Sequence, residues 1–191
     1  TGDAKHMSSR KEGRHFGVIP IETAAAMSGL EMFNAIVDGR LPQPPISQTM
    51  SYRLVEVGEG RAVFEGEPGP QLFNPMGTVH GGWVLTLIDS ATACAGHTLL
   101  PAGLGFTSIE TKANFSRPIT AHTGPVRVEG RVVAQGKNIV SAEATVRSRD
   151  GRVLAHGTST MMVLQPRGQL PATLPATQTA ADFSIGHPER A

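Results

Sequence analysis

The stretch from Asn74 to His97, NPMGTVHGGWVLTLIDSATACAGH, constrains this chain more than any other. A turn-rich entry, Asn74-Pro75-Met76-Gly77, leads to His80-Gly81-Gly82. A nearly all-apolar run follows, with one carboxylate, Asp89, set in its middle. The run leaves few polar positions and reads as a helix from about Val79 to about Gly96, buried on most sides. At 100° per residue Thr86, Asp89, Ser90 and His97 fall on one narrow stripe, with Ala93 among them. Asp lowers helix propensity, and burying its charge is costly unless partners compensate. An acid at the centre of such a helix calls for a role, with Ser90, Thr86 and Asn74 as candidate donors to it.

The rest of the chain wraps this segment. Ile21 to Val37 reads as one amphipathic helix, with Ala26, Leu30, Phe33, Ile36 and Val37 at helical spacing, followed by a stiff Pro-rich connector. Thr49 to Val57 and Arg61 to Glu67 read as strands joined at Gly58-Glu59-Gly60. Four more follow the central helix: Phe106 to Ser116, Gly124 to Ala134, Asn138 to Arg149 and Val153 to Leu164. Turn signals at Arg117-Pro118, Gln135-Gly136-Lys137 and Asp150-Gly151 separate them. This order argues an α+β domain in which one antiparallel sheet wraps one helix. The expected organisation is a tag remnant and flexible N-terminus over 1–20, the N-terminal helix and linker over 21–48, one domain over 49–165, and a disordered or loosely packed tail over 166–191.

Composition narrows the function classes. A net charge of +1 gives no support to nucleic-acid binding. The single cysteine, Cys94, excludes an intramolecular disulfide and fits a reducing compartment. No apolar run approaches the roughly 20 residues that span a bilayer, so a soluble cytoplasmic protein without membrane partners is expected. His122 and His156 show no metal-ligand spacing, and no metal is expected.

Asn74-x5-His80-Gly81-Gly82-x6-Asp89, then Ser108-Ile109-Glu110 to Phe115-x-Arg117-Pro118, Gly136-Lys137, and Asp150-Gly151-Arg152 to Gly157-Thr158, resembles the hotdog-fold acyl-CoA thioesterases. The phenylacetate-pathway (PaaI-like) subfamily is the nearest type, and the likeness covers about Thr49 to Leu164. The resemblance implies a hotdog fold, with a long central helix wrapped by a five- to six-stranded antiparallel sheet. It implies hydrolysis of an acyl-CoA, with coenzyme A part of the substrate and no separate cofactor. In the family the position of Asp89 carries the nucleophile or general base, and that of Gly81 the backbone N–H that polarises the carbonyl. The position of Asn74 orients water or the carboxylate, that of His80 supports the turn or touches the thioester, and a Ser or Thr at the position of Ser108 assists in some members. One aromatic-acyl branch has Glu for the acid and Thr one turn later, whereas here Ala93 follows Asp89.

The chemistry is consistent with these roles. N–H groups at a helix start are unpaired and lie at the positive end of its dipole, and glycine lets a ligand approach the backbone closely. Gly81 and Asp89 are eight positions apart, about 12 Å along one helix at ~1.5 Å per residue. One thioester carbon cannot reach both in the same subunit. If both are catalytic, they come from different copies, with two central helices antiparallel across a two-fold axis. The expectation is an obligate homodimer, assembling as a dimer of dimers, with two equivalent sites per dimer. Gly82, Ser90, Trp83, Phe106, Lys137 and Asn138 are the candidate substrate contacts. Trp83 reads equally as pocket lining or dimer packing, and Lys137, Asn138, Arg117 or Arg152 as partners of CoA phosphates. Two other readings remain: a non-catalytic acyl-CoA sensor, which has no need of an acid at position 89, and a hydroxyacyl-thioester dehydratase, whose base would be a His.

Overall fold

The computed structural model describes residues 15–164; the expected tail and most of the expected flexible N-terminus lie outside them. Among the described residues the chain runs through α1 (Ile21–Ala25), α2 (Gly29–Val37), α3 (Pro45–Thr49), β1 (Tyr52–Gly58) and β2 (Arg61–Gly66). It continues through α4 (Gly81–His97), β3 (Gly105–Phe115), β4 (Val126–Gln135), β5 (Ile139–Ser148) and β6 (Val153–Leu164). The strands form one six-stranded antiparallel sheet in the order β1-β2-β4-β5-β6-β3. This sheet against one long helix is the expected hotdog fold. β3 leaves α4 and returns to the far edge of the sheet, beside β6.

Apolar burial holds α4 on the sheet. Leu87, Ile88, Ala91 and Ala95 have no exposed surface, and they meet Val128 and Val146, equally sealed, on β4 and β5. Full burial of one such aliphatic side chain contributes about 1.5–3 kcal/mol. The alternation of β5 shows the same division, with Val140, Ala142, Ala144 and Val146 inward and polar neighbours outward. The helix comes closest at Gly130 of β4, where a Cβ would stand 2.2 Å from the carbonyl oxygen of Ala91. Only glycine admits that approach.

The single N-terminal helix expected over Ile21 to Val37 is instead two. Ser28 has extended backbone and opens α2 with a capping box: its Oγ accepts from the Glu31 N–H, and the Glu31 carboxylate accepts from the Ser28 N–H at 2.9 Å. The start of α2 is then fixed on the end of α4, because Gly29 N–H donates to Leu100 O at 3.1 Å and a Cβ there would stand 1.9 Å from His97 O. The strand expected from Thr49 begins later, at Tyr52, because Pro45 at the first position nucleates α3 across Thr49.

Candidate active site

The entry to α4 is a set of local hydrogen bonds. His80 is its N-cap, and its Nδ1 accepts the Gly82 N–H at 2.9 Å, which requires that nitrogen to be unprotonated. This is the turn-fixing reading of His80. The Gly82 N–H is thereby engaged within the protomer. The Gly81 N–H donates to no acceptor among the described residues, as the first N–H of a helix does when no side chain reaches it. Asn74 closes the preceding turn: its Nδ2 donates to Thr78 Oγ1 at 2.7 Å, and its Oδ1 accepts from the N–H groups of Met76 and Thr78. Within one protomer these partners are all local, and none is Asp89.

Asp89 sits half-buried at the middle of α4, against the edge strand. Its Oδ1 accepts from Ser108 Oγ and from Thr111 Oγ1, both at 2.9 Å. Ser108 is therefore at the acid, as the resemblance implies. The other donors differ from expectation. Ser90, one helical step away, pairs instead with the hydroxyl of Tyr52 at 3.1 Å, and Thr86 donates back to Gly82 O at 2.9 Å. Strand residues supply the donors because the Asp89 side chain lies toward β3. Thr111 was not anticipated from the sequence. It also contacts Ser159 Oγ at 3.0 Å, and Ser159 donates to Glu110 O at 2.9 Å. Burial pushes the Tyr52 hydroxyl above its ordinary range, against an opposing hydrogen bond from Ser90, so Tyr52 stays a neutral partner.

Trp83 packs inside the protomer. It is 1 % exposed, packs over Gly66, and donates its indole N–H to Met50 O at 2.6 Å. Within one protomer it is sealed in the core. Cys94 is core-packed as expected; burial first and the Asp89 charge second push its thiol up to about 12, so it is no nucleophile at neutral pH. Phe106 lies at the C-terminal end of α4, its ring 5.0 Å from that of His97, which meets Phe33 of α2 edge-on at 5.4 Å.

The candidate partners of CoA phosphates divide between the two ends of the sheet. A cavity of about 700 Å³ opens where the β3–β4 loop meets the β5–β6 turn, with Arg117, Arg149, Arg152 and His122 among its lining residues. It adjoins the N-terminal end of α4, since Ile119 O accepts the Val79 N–H at 2.9 Å and Phe115 lies over Gly81. Lys137 and Asn138 occupy the turn at the opposite end of β5, beyond a strand of 10 residues. At ~3.3 Å per residue that is about 33 Å, so in one protomer these two do not share a ligand phosphate with the cavity.

The fold and site together define a hotdog domain with an acid at mid-helix and an open N–H at the helix start. The Thioesterase superfamily model matches residues 76–155, a span that holds both Gly81 and Asp89. A Saccharolobus solfataricus protein named provisionally as an esterase is 26% identical over 124 residues, covering 65% of this chain and 86% of its own. A solved thioesterase family protein from Silicibacter pomeroyi is 28% identical, with TM-score 0.61, over 70% of this chain and 98% of its own. A phenylacetic acid degradation-related protein from Ralstonia eutropha is 26% identical, with TM-score 0.62, over 68% of this chain and 98% of its own. Among the described residues no helix is long and apolar enough to cross a membrane.

Proposed function

We propose that this protein hydrolyses an acyl-CoA thioester to a free acid and coenzyme A. The observation that carries this reading is the Asp89 carboxylate, fixed through one oxygen by Ser108 and Thr111 in the middle of the central helix. The matches to thioesterase-named proteins support the same class of chemistry. In this mechanism the acid works on a carbonyl polarised by the Gly81 N–H of a second protomer, because ~12 Å of helix separates the two residues within one. Asp89 either attacks the carbonyl carbon or takes a proton from the water that does. The developing oxyanion is held at the helix start, and collapse expels CoA thiolate. If Asp89 has attacked, water then hydrolyses the acyl-carboxylate anhydride and restores the acid.

The dimer this requires places Asp89 where a second chain has access. The acid lies against β3, the edge strand, whose outer hydrogen-bonding side faces no other strand among the described residues. Two central helices running antiparallel across that edge bring each Gly81 toward the other chain's Asp89, giving a homodimer that can assemble further into a dimer of dimers. Asn74 and His80 hold the Gly81 turn in shape. The arginine-lined cavity near that turn takes the CoA phosphates. Lys137 and Asn138, at the far end of the same sheet, serve only a site shared between protomers.

The test is CoA release from a panel of acyl-CoAs, read with a thiol reagent, comparing the parent with Asp89→Asn. Hydrolysis by the parent and a loss of at least about 10²-fold in the variant is expected, general base catalysis being worth about 10²–10⁴. Tight acyl-CoA binding by the parent without CoA release from any acyl group would replace this reading with that of a sensor.

A further inference from the structure

The backbone of β3 carries a feature that bears directly on Asp89. Its pairing with β6 shifts between Ser108 and Glu110: Ser108 opposes Met161, Glu110 opposes Thr160, and Ile109 is the extra residue of a β-bulge. In a regular strand, residues 108 and 111 would point to opposite faces, because side chains alternate with a period of two. The bulge resets that alternation. Phe106 and Ser108 before it, and Thr111, Ala113 and Phe115 after it, all lie toward α4, at His97, Asp89, the core and Gly81. Ile109 is left 54% exposed on the edge.

The result is two hydroxyls converging on the same carboxylate oxygen. Ser108 and Thr111 both donate to Oδ1 of Asp89, and no described residue bonds Oδ2. Oδ2 is not sealed from water either, since among the described residues the buried side-chain atoms that lack a partner are Ser47 Oγ and Arg53 Nε. Ser159, 1% exposed, donates to the carbonyl of Glu110 in the bulge and so fixes the backbone beside Thr111, with its oxygen 3.0 Å from the Thr111 hydroxyl. The two donors on Oδ1 fix the rotation of the Asp89 carboxylate about its last bond.

From this geometry we infer that Thr111, delivered by the Ile109 bulge and backed by Ser159, is a positioning residue that selects Oδ2 of Asp89 as the reacting oxygen. Without Thr111 a single donor remains, and the carboxylate can rotate so that either oxygen faces the substrate. Attack or proton transfer then begins from a mixture of orientations, only part of which is aligned. The inference rests on the proposed hydrolysis and adds to it the atom that reacts and the residue that orients it.

The test uses the full chain with the acyl-CoA that the parent hydrolyses fastest, comparing the parent with Thr111→Val, Thr111→Ser and Ser159→Ala. Valine keeps the shape of threonine and removes only the donor. Expected is a kcat lower by about 10-fold in Thr111→Val with little change in KM, since a hydrogen bond to a charged group is worth about that factor. Thr111→Ser restores the hydroxyl and most of kcat, and Ser159→Ala shows a smaller loss in the same direction. Melting temperatures separate this from a folding effect: the serine variant loses packing without losing kcat, which a purely structural Thr111 would not allow. A parent that releases CoA together with a Thr111→Val enzyme of unchanged kcat overturns the inference and leaves the hydrolysis reading standing. A loss in Thr111→Val that serine does not restore also overturns it. No CoA release by the parent from any acyl group overturns both.

Discussion

Gly81→Pro isolates one backbone N–H with unusually little disturbance of the fold. Gly81 is the first residue of α4, the helical position at which proline is best tolerated, because that N–H has no partner within the helix. The residue before a proline must be extended, and His80 already is, with φ −63° and ψ 135°. The nearest obstacle is the Phe115 ring, whose Cζ lies 3.1 Å from a Cβ built at Gly81. That ring is 58% exposed, so it can give way by a few tenths of an ångström. The substitution therefore removes the donor proposed for the thioester oxyanion and leaves the His80 cap in place. Loss of one such donor costs about 2.7–4 kcal/mol of barrier, or about 10²–10³ in kcat. The assay is steady-state CoA release at saturating acyl-CoA, with a thermal melt of the same samples. A Gly81→Pro protein that melts like the parent and retains its kcat would refute the assignment of the oxyanion site to this N–H.

Two further outcomes follow from packing and charge. Gly130→Ala places a methyl 2.2 Å from Ala91 O and 2.4 Å from Ala91 C, where ordinary contacts begin near ~3.5 Å. The helix must lift from β4 by about 1 Å, at a cost of about 3 kcal/mol, so a thermal melt should shift down by roughly 10 °C; an unchanged melt would show that α4 has slack on the sheet. Burial lowers the pKa of His97 from its ordinary 6.5, against a backbone hydrogen bond with Leu104 that raises it. Below pH 6.5 the unfolded chain then binds the proton more readily than the folded one, so stability present above that pH declines as pH falls toward the folded value. Melting temperatures at about pH 5.5 should be lower than at about pH 7.5, and His97→Gln should flatten that dependence; an equal slope in the variant would place the effect elsewhere.

Periodicity carried most of the architecture. The apolar run of α4, the Asp150-Gly151 turn and the alternation in β5 each left one reading of local structure, and the elements stand where those signals placed them. The capping box Ser28-x-x-Glu31 was present in the sequence, but the apolar residues on either side of it continued at helical spacing and concealed the break. Thr111 was hidden for a geometric reason. Strand alternation assigns residues 108 and 111 to opposite faces, and only the bulge at Ile109 brings both to Asp89. Ser90 shares the helical stripe of Asp89 yet is claimed by Tyr52, a partner 38 positions earlier in the chain. The Gly82 N–H is engaged by a contact two residues away, the His80 imidazole, whose orientation no spacing rule gives. The core contacts of Trp83, Gly66 and the Met50 carbonyl, were not legible because they come together only when β2 and α3 fold over α4.

The claim that each site is shared between protomers has a direct test in complementation. Asp89→Asn and Gly81→Pro chains, each nearly inactive alone, are coexpressed with different affinity tags and purified as a mixed population. With random pairing about half the dimers are mixed, and each mixed dimer holds one site with Asp89 from one chain and Gly81 from the other, both intact. CoA release should recover to about a quarter of the parent's rate per protomer, while either variant alone stays near zero. Mixed dimers isolated through both tags that show no recovery would contradict a site built across the two-fold axis.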